Sequence, residues 1–97
     1  MFVFGGTRTN SDESDNQNYN DLWMLNLEKV SELRWDKIKS KGKPPAPRHG
    51  HSCNNLNNYL IIFGGLGDKQ QFFNDIIVFN RDTNEWIHPL IRYKNAE

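Results

Sequence analysis

Apolar residues in this chain gather in short runs, Phe2-Val3-Phe4, Leu22-Trp23-Met24-Leu25, Ile61-Ile62-Phe63 and Ile76-Ile77-Val78-Phe79, each closed by glycine or polar residues. Short apolar runs bounded by turn formers read as β-strands. Four are expected in the second half. His49 to Leu56 and Tyr59 to Phe63 form a hairpin through Asn57-Asn58, since asparagine tolerates the positive φ of a tight hairpin turn. Asp75 to Asn80 is the third strand, and the polar turn Arg81-Asp82-Thr83-Asn84 leads into a fourth that begins near Glu85-Trp86. The first half supplies Phe2 to Phe4, Asp21 to Leu27 and Leu33 to Lys39, with no counterpart of the innermost strand. Asparagine recurs along the whole chain, and its short amide competes for backbone hydrogen bonds, which favours turns over helix interiors.

The two halves repeat each other. Phe2-Val3-Phe4-Gly5-Gly6 returns as Ile61-Ile62-Phe63-Gly64-Gly65, Asn20-Asp21-Leu22-Trp23-Met24-Leu25-Asn26 as Asn74-Asp75-Ile76-Ile77-Val78-Phe79-Asn80, and Arg34-Trp35 as Glu85-Trp86. The spacing is 59 residues from Gly5 to Gly64, 54 from Asn20 to Asn74 and 51 from Trp35 to Trp86. The differences fall in polar, turn-like stretches, where a repeat unit absorbs insertions without disturbing its strands.

In order and content these blocks resemble the kelch repeat, with a double glycine after an apolar strand, a polar-Asp pair before the third strand and a spaced tryptophan in the fourth. Pro45-Ala46-Pro47-Arg48-His49-Gly50-His51-Ser52 resembles that family's lead-in to the first strand of a blade. The tyrosine often found shortly before the tryptophan is absent from both copies. The resemblance implies an all-β fold of antiparallel four-stranded blades belonging to a β-propeller. It gives Gly5, Gly6, Asp21, Trp35, Arg48, His51, Gly64, Gly65, Asp75 and Trp86 the role of structural repeat residues. Residues 1–44 are then a partial blade, strands two to four with the outgoing loop, and 45–97 a complete blade. A ring needs ~4 to 8 blades, so this chain does not close one alone, and it reads as a segment of a longer repeat protein or a truncated reading frame.

Composition narrows the function classes. Lys plus Arg and Asp plus Glu are 12 each, a balance that points neither to nucleic acid nor to an anionic membrane. No apolar run approaches the ~18 to 20 residues of a spanning helix, and Met1 opens into Phe2-Val3-Phe4 without the basic region of a signal peptide. Cys53 is the single cysteine and there is no Asn-x-Ser/Thr acceptor, so a reducing, cytoplasmic setting is expected.

Candidate chemistry is sparse. His49, His51 and Cys53 alternate and are of the types that ligate zinc, but same-face neighbours on one strand stand about 7 Å apart, too far to converge on an ion at ~2.0 to 2.3 Å. A satisfied structural role is expected for His51, and no acidic orienter accompanies Cys53. Neither glycine pair is followed by the Gly-Lys-Ser/Thr ending of a phosphate loop. Lys37, Lys39, Lys41 and Lys43 alternate as expected of an outermost strand guarded against edge pairing. Trp35 and Trp86, at equivalent positions, are expected to pack between neighbouring blades. No catalytic, metal or cofactor site is assigned.

Meander topology puts the connection between strands two and three on the same side as the one from strand four to the next blade. On that side Thr7 to Asn20 forms an acidic loop with Asp12, Glu13 and Asp15, beside Ser40 to Arg48, which carries Lys41, Lys43 and Arg48 among prolines. Loops on a rigid scaffold are where binding usually sits, so these six are the partner-binding candidates. The expected function is a non-catalytic protein-interaction module, scaffold or adaptor, with protein partners and self-association through unpaired blade edges. The alternative is the propeller part of an enzyme, oxidase-like or phosphatase-associated, whose catalytic residues lie outside this chain.

Overall fold

A computed structural model describes residues 1–9 and 16–94, which form two antiparallel sheets. The first sheet has three strands, β1 (Phe2–Thr9), β2 (Asn16–Asn26) and β3 (Arg34–Lys37), in the order β1-β2-β3. The second has four, β4 (Ser52–Leu56), β5 (Tyr59–Leu66), β6 (Phe72–Asn80) and β7 (Glu85–Ile87), in the order β4-β5-β6-β7. Each is a meander in chain order, and the two pack face to face. The hairpin turn between β4 and β5 falls at Asn57-Asn58, with Asn57 at φ 55°.

Strands β1, β2, β5 and β6 outrun the lengths expected of them, whereas β3 is shorter than the expected Leu33 to Lys39, and the reason for the longer ones lies in the repeated blocks. Phe4 pairs with Leu22 and Gly6 with Tyr19, so Asn20 and Asp21 together face Gly5; likewise Phe63 pairs with Ile76 and Gly65 with Phe73, so Asn74 and Asp75 face Gly64. The glycine pair and the Asn-Asp pair are thus the two sides of one β-bulge, present once per sheet. A bulge bends the strand and re-aims a side chain without ending the ladder. The glycines therefore do not terminate β1 and β5. Gly5 sits at φ +67°, and a Cβ there would stand 2.7 Å from the Arg48 carbonyl, so no other residue fits the crossing.

At the lead-in the opposite happens. His49 makes only an isolated bridge to Leu66, and β4 begins at Ser52. All five residues of β4 are exposed.

The core lies between the sheets. Leu60, Ile62, Ile77, Phe79 and Trp86 from the second sheet close on Phe4 and Leu22 from the first, with Phe2 and Ile38 packed against them. Strand alternation sets this pattern, since each strand sends every other side chain into the seam. Trp86 meets Phe4 across the seam at 5.3 Å between ring centroids and Phe79 within its own sheet at 4.8 Å. Trp35 lies on the far face of the first sheet, which no described element covers, and is 50% exposed.

Full burial of an aromatic side chain in such a seam predicts that Trp86→Ala and Phe4→Ala each lose about 3 to 5 kcal/mol. The double variant should lose less than the sum, because the two rings share a contact. Urea unfolding of the four proteins checks both statements.

Candidate interaction face

Arg48 is 1% exposed, the most deeply buried charge among the described residues. Its guanidinium donates to both Asp75 carboxylate oxygens, Nη1 to Oδ1 at 2.6 Å and Nη2 to Oδ2 at 3.1 Å. Nη1 also donates to the Gly64 carbonyl at 3.1 Å and Nε to that of Ala46 at 3.0 Å. The plane lies 3.9 Å over the Phe73 ring. The forked geometry matches a carboxylate as lysine does not. The Arg48 hydrogen bond holds the Asp75 carboxyl below its ordinary range, against the desolvation that raises it.

The backbone of the same residue ties in the first sheet. Arg48 N donates to Tyr19 O at 3.1 Å and Gly6 N donates to Arg48 O at 2.8 Å. The lead-in is thereby sewn across the top of the seam, and above it lies a polar cluster drawn from both sheets. Asn18 Nδ2 donates to Asp68 Oδ1 at 2.7 Å, while His49 Nδ1 stands 2.9 Å from Asn18 Oδ1. Asp68 opens the short turn Asp68–Gln70 between β5 and β6, in which Lys69 and Gln70 hold φ of 52° and 63°. Two consecutive non-glycine residues in the left-handed region cost energy, and such strain collects at functional surfaces. All three turn residues are exposed.

The partner-binding candidates separate once placed. Asp12, Glu13 and Asp15 lie outside the described residues, and the described parts of the loop expected over Thr7 to Asn20 are strand, since β1 runs to Thr9 and β2 starts at Asn16. Arg48 is withdrawn from any partner by its burial. Lys41 leaves the loop end of the blade altogether: its N donates to Asn84 O at 2.7 Å and its O accepts from Trp86 N at 2.9 Å, a parallel bridge to Glu85 at the far end of β7. An open edge on β7 offers unpaired backbone groups, and the connecting segment satisfies them. Lys43 follows on the same rim, where its carbonyl lies 2.6 Å from His88 Nε2. Because β3 ends at Lys37, the alternating lysines do not share one strand; Lys37 lies 6.0 Å over the Trp23 ring.

Sequence reasoning missed Asn18, Asp68, Lys69 and Gln70. The signal for the turn was the polar stretch Gly67 to Gln71 between two recognised blocks; the contact across the seam had none.

Asp21, the counterpart of Asp75, accepts from the Trp23 indole at 2.7 Å. His51 stacks edge-on against Phe4 at 5.3 Å, yet its Nδ1 is buried without a partner, so the expected satisfaction is incomplete. Burial lowers the His51 pKa, with the Phe4 backbone hydrogen bond opposing and the charges of Arg48 and His49 adding to the fall. Cys53 is exposed, and among the described residues no group of three His, Cys, Asp or Glu side chains is arranged to hold a metal ion. At the opposite end of the seam, Phe2, Met24, Ile38 and Arg81 help line an open cleft of about 430 Å³.

Comparison with known proteins bears on this arrangement. Residues 1–96 match the family model described as the KLHDC2/KLHL20/DRC7 Kelch-repeats domain. A Rho GTPase-activating protein, gacHH, of Dictyostelium discoideum is 41% identical over 91 residues, 92% of this chain and 5% of that protein. Tip elongation aberrant protein 1 of Schizosaccharomyces pombe is 34% identical over 91 residues, and dynein regulatory complex subunit 7 of Chlamydomonas reinhardtii 29% over 91; the chain spans 7% of each.

Two measurements test the placements above. Asp75→Asn should cost about 3 kcal/mol, since it strips the counter-charge from a buried guanidinium, whereas Asp21→Asn should cost about 1 kcal/mol; chemical unfolding separates them. For His51, the unfolded ring titrates near 6.5 and the folded ring lower, so between these values the unfolded chain binds more protons. Stability should therefore fall as pH drops below about 6.5, and His51→Phe should flatten that slope in melting curves.

Proposed function

The chain belongs to the kelch-repeat family, and on that premise we propose that it is a non-catalytic protein-interaction segment of a larger propeller, binding a protein partner on the loop end of its two blades. Kelch repeats generally serve as interaction and scaffold modules. The observation that carries the reading is the cluster of Asn18, His49 and Asp68, which joins the start of β2 in the first sheet to the lead-in and the β5–β6 turn of the second, next to the buried Arg48. A rigid base beneath exposed, strained turn residues lowers the entropy lost on docking. Lys69 is the exposed cation of that turn, and a partner carrying acidic groups fits it.

The division at residue 44 belongs to the same reading, with the qualification that Lys41 already pairs with the second sheet. A cytoplasmic setting is also proposed, on the strength of the exposed, unpaired Cys53 thiol. No helix of the described residues is long and apolar enough to cross a membrane.

In the longer protein that carries these repeats, Lys69→Glu combined with Asp68→Lys should reduce capture of the partner at least tenfold while the far-ultraviolet spectrum stays unchanged. The comparison is Lys41→Glu with Lys43→Glu on the outer rim, which should leave capture within about twofold. Quantitative affinity capture from cells reads both; loss with the rim pair alone would move the interface to the side of the blade.

A further inference from the structure

The cleft at the far end of the seam has no part in the loop-end reading, and both of its walls belong to this chain. Phe2 and Met24 of the first sheet, with Ile38 just after β3, form the apolar side, and the turns at Asn57-Asn58 and Arg81 to Asn84 form the other. Its volume of about 430 Å³ lies in the ~300 to 1,000 Å³ range of binding pockets. Strand β6 runs nine residues from the loop end to this one, so the two ends stand about 27 Å apart at ~3.4 Å per residue.

The turn that carries Arg81 does not need an arginine. Its hydrogen bonds go to Asn80, whose Oδ1 accepts from Asp82 N at 2.9 Å, and Asn26 Oδ1 accepts from Glu28 N at 3.0 Å at the same place in the first repeat. There Leu27 occupies the position of Arg81. The Arg81 guanidinium lies 4.8 Å over the Phe2 ring, and its Nη1 reaches only neutral oxygens, Asn57 O at 3.3 Å and Asn55 Oδ1 at 3.5 Å. No carboxylate pairs with it among the described residues. Asp82, the anion beside it, is held by Asn58 Nδ2 at 2.7 Å. An exposed guanidinium fixed against an aromatic ring, with Nη2 and Nε left to donate, matches a carboxylate at the mouth of an apolar cleft.

We propose that this cleft binds an extended peptide segment of a partner protein in which an apolar side chain adjoins an aspartate or glutamate. The apolar side chain enters against Phe2, Met24 and Ile38, and the carboxylate takes the free donors of Arg81. Charge complementarity selects the acidic residue. The exposed amides of Asn57 and Asn84 flank the cleft, where they donate to and accept from the peptide backbone. A free apolar acid offers the same two groups but no backbone for these amides to read.

The test titrates the chain of residues 1–97 with the peptide Gly-Ser-Leu-Asp-Ser-Gly, blocked at both ends, and follows backbone amide shifts by NMR. Saturable shifts are expected at Asn57, Asn58 and Arg81 to Asn84, and none at Asp68 to Gln70. Replacing the peptide's aspartate by asparagine should weaken binding at least tenfold, as should Arg81→Leu, which installs the residue of the first repeat. The two changes together should cost little more than either alone, because they remove the two halves of one contact. Replacing the peptide's leucine by serine should weaken binding about fivefold or more. Added 4-methylpentanoate, an apolar acid without a backbone, should leave the peptide in place. Absence of saturable shifts at the cleft overturns the proposal, as does equal binding of the asparagine peptide or by the Arg81→Leu chain. Displacement by 4-methylpentanoate overturns it too, since the cleft would then be a site for free acids. Lys69→Glu at the loop end should leave the titration unchanged, so a failure here and a failure of the loop-end reading are told apart.

Discussion

Everything near the top of the seam depends on one buried cation. Arg48 reaches into the second sheet with its side chain and into the first with its backbone, so a single residue fixes the lead-in, both bulges and the approach of the sheets. A guanidinium without water around it is tolerated only where its donors are met, and here Asp75, Gly64 and Ala46 meet them while Phe73 covers the plane. The bulge at Gly64 is what turns Asp75 toward the guanidinium. Remove the bulge and the carboxylate follows the ordinary alternation of its strand.

That constraint explains why the seam is apolar along its length but polar at its end. Phe4, Phe79 and Trp86 supply the contact area, and none of them dictates the relative height of the two sheets. The hydrogen bonds from Gly6 to Arg48 and from Arg48 to Tyr19 do. His51 marks the junction of the two regimes, with its ring against Phe4 and an unpartnered nitrogen left inside.

The loop end and the outer faces offer different kinds of recognition. The cluster of Asn18, His49 and Asp68 is polar and held from two sheets, suited to reading the chemistry of a partner's surface. The outer faces carry exposed apolar side chains, Val3 and Trp35 on one and Phe63 on the other, at repeat positions whose counterparts the seam buries. A repeat architecture combines them naturally, since stacking faces lie along the repeat axis and loop ends lie across it.

The sequence by itself determined the repeat, the strand blocks and the family. Short apolar runs closed by glycine, together with the same order of blocks in two copies, leave few other solutions, and local pairing rules are sufficient to read them. It also determined the Asn57-Asn58 turn, a property of two residues. Tertiary structure alone decided that the glycine and Asn-Asp blocks face each other in a bulge, that Arg48 is buried and so not a surface cation, and that Lys41 runs along β7. The physical reason is the same in each case: burial and strand pairing are set by which segment arrives on a given face or edge, and that segment lies tens of residues away in the chain.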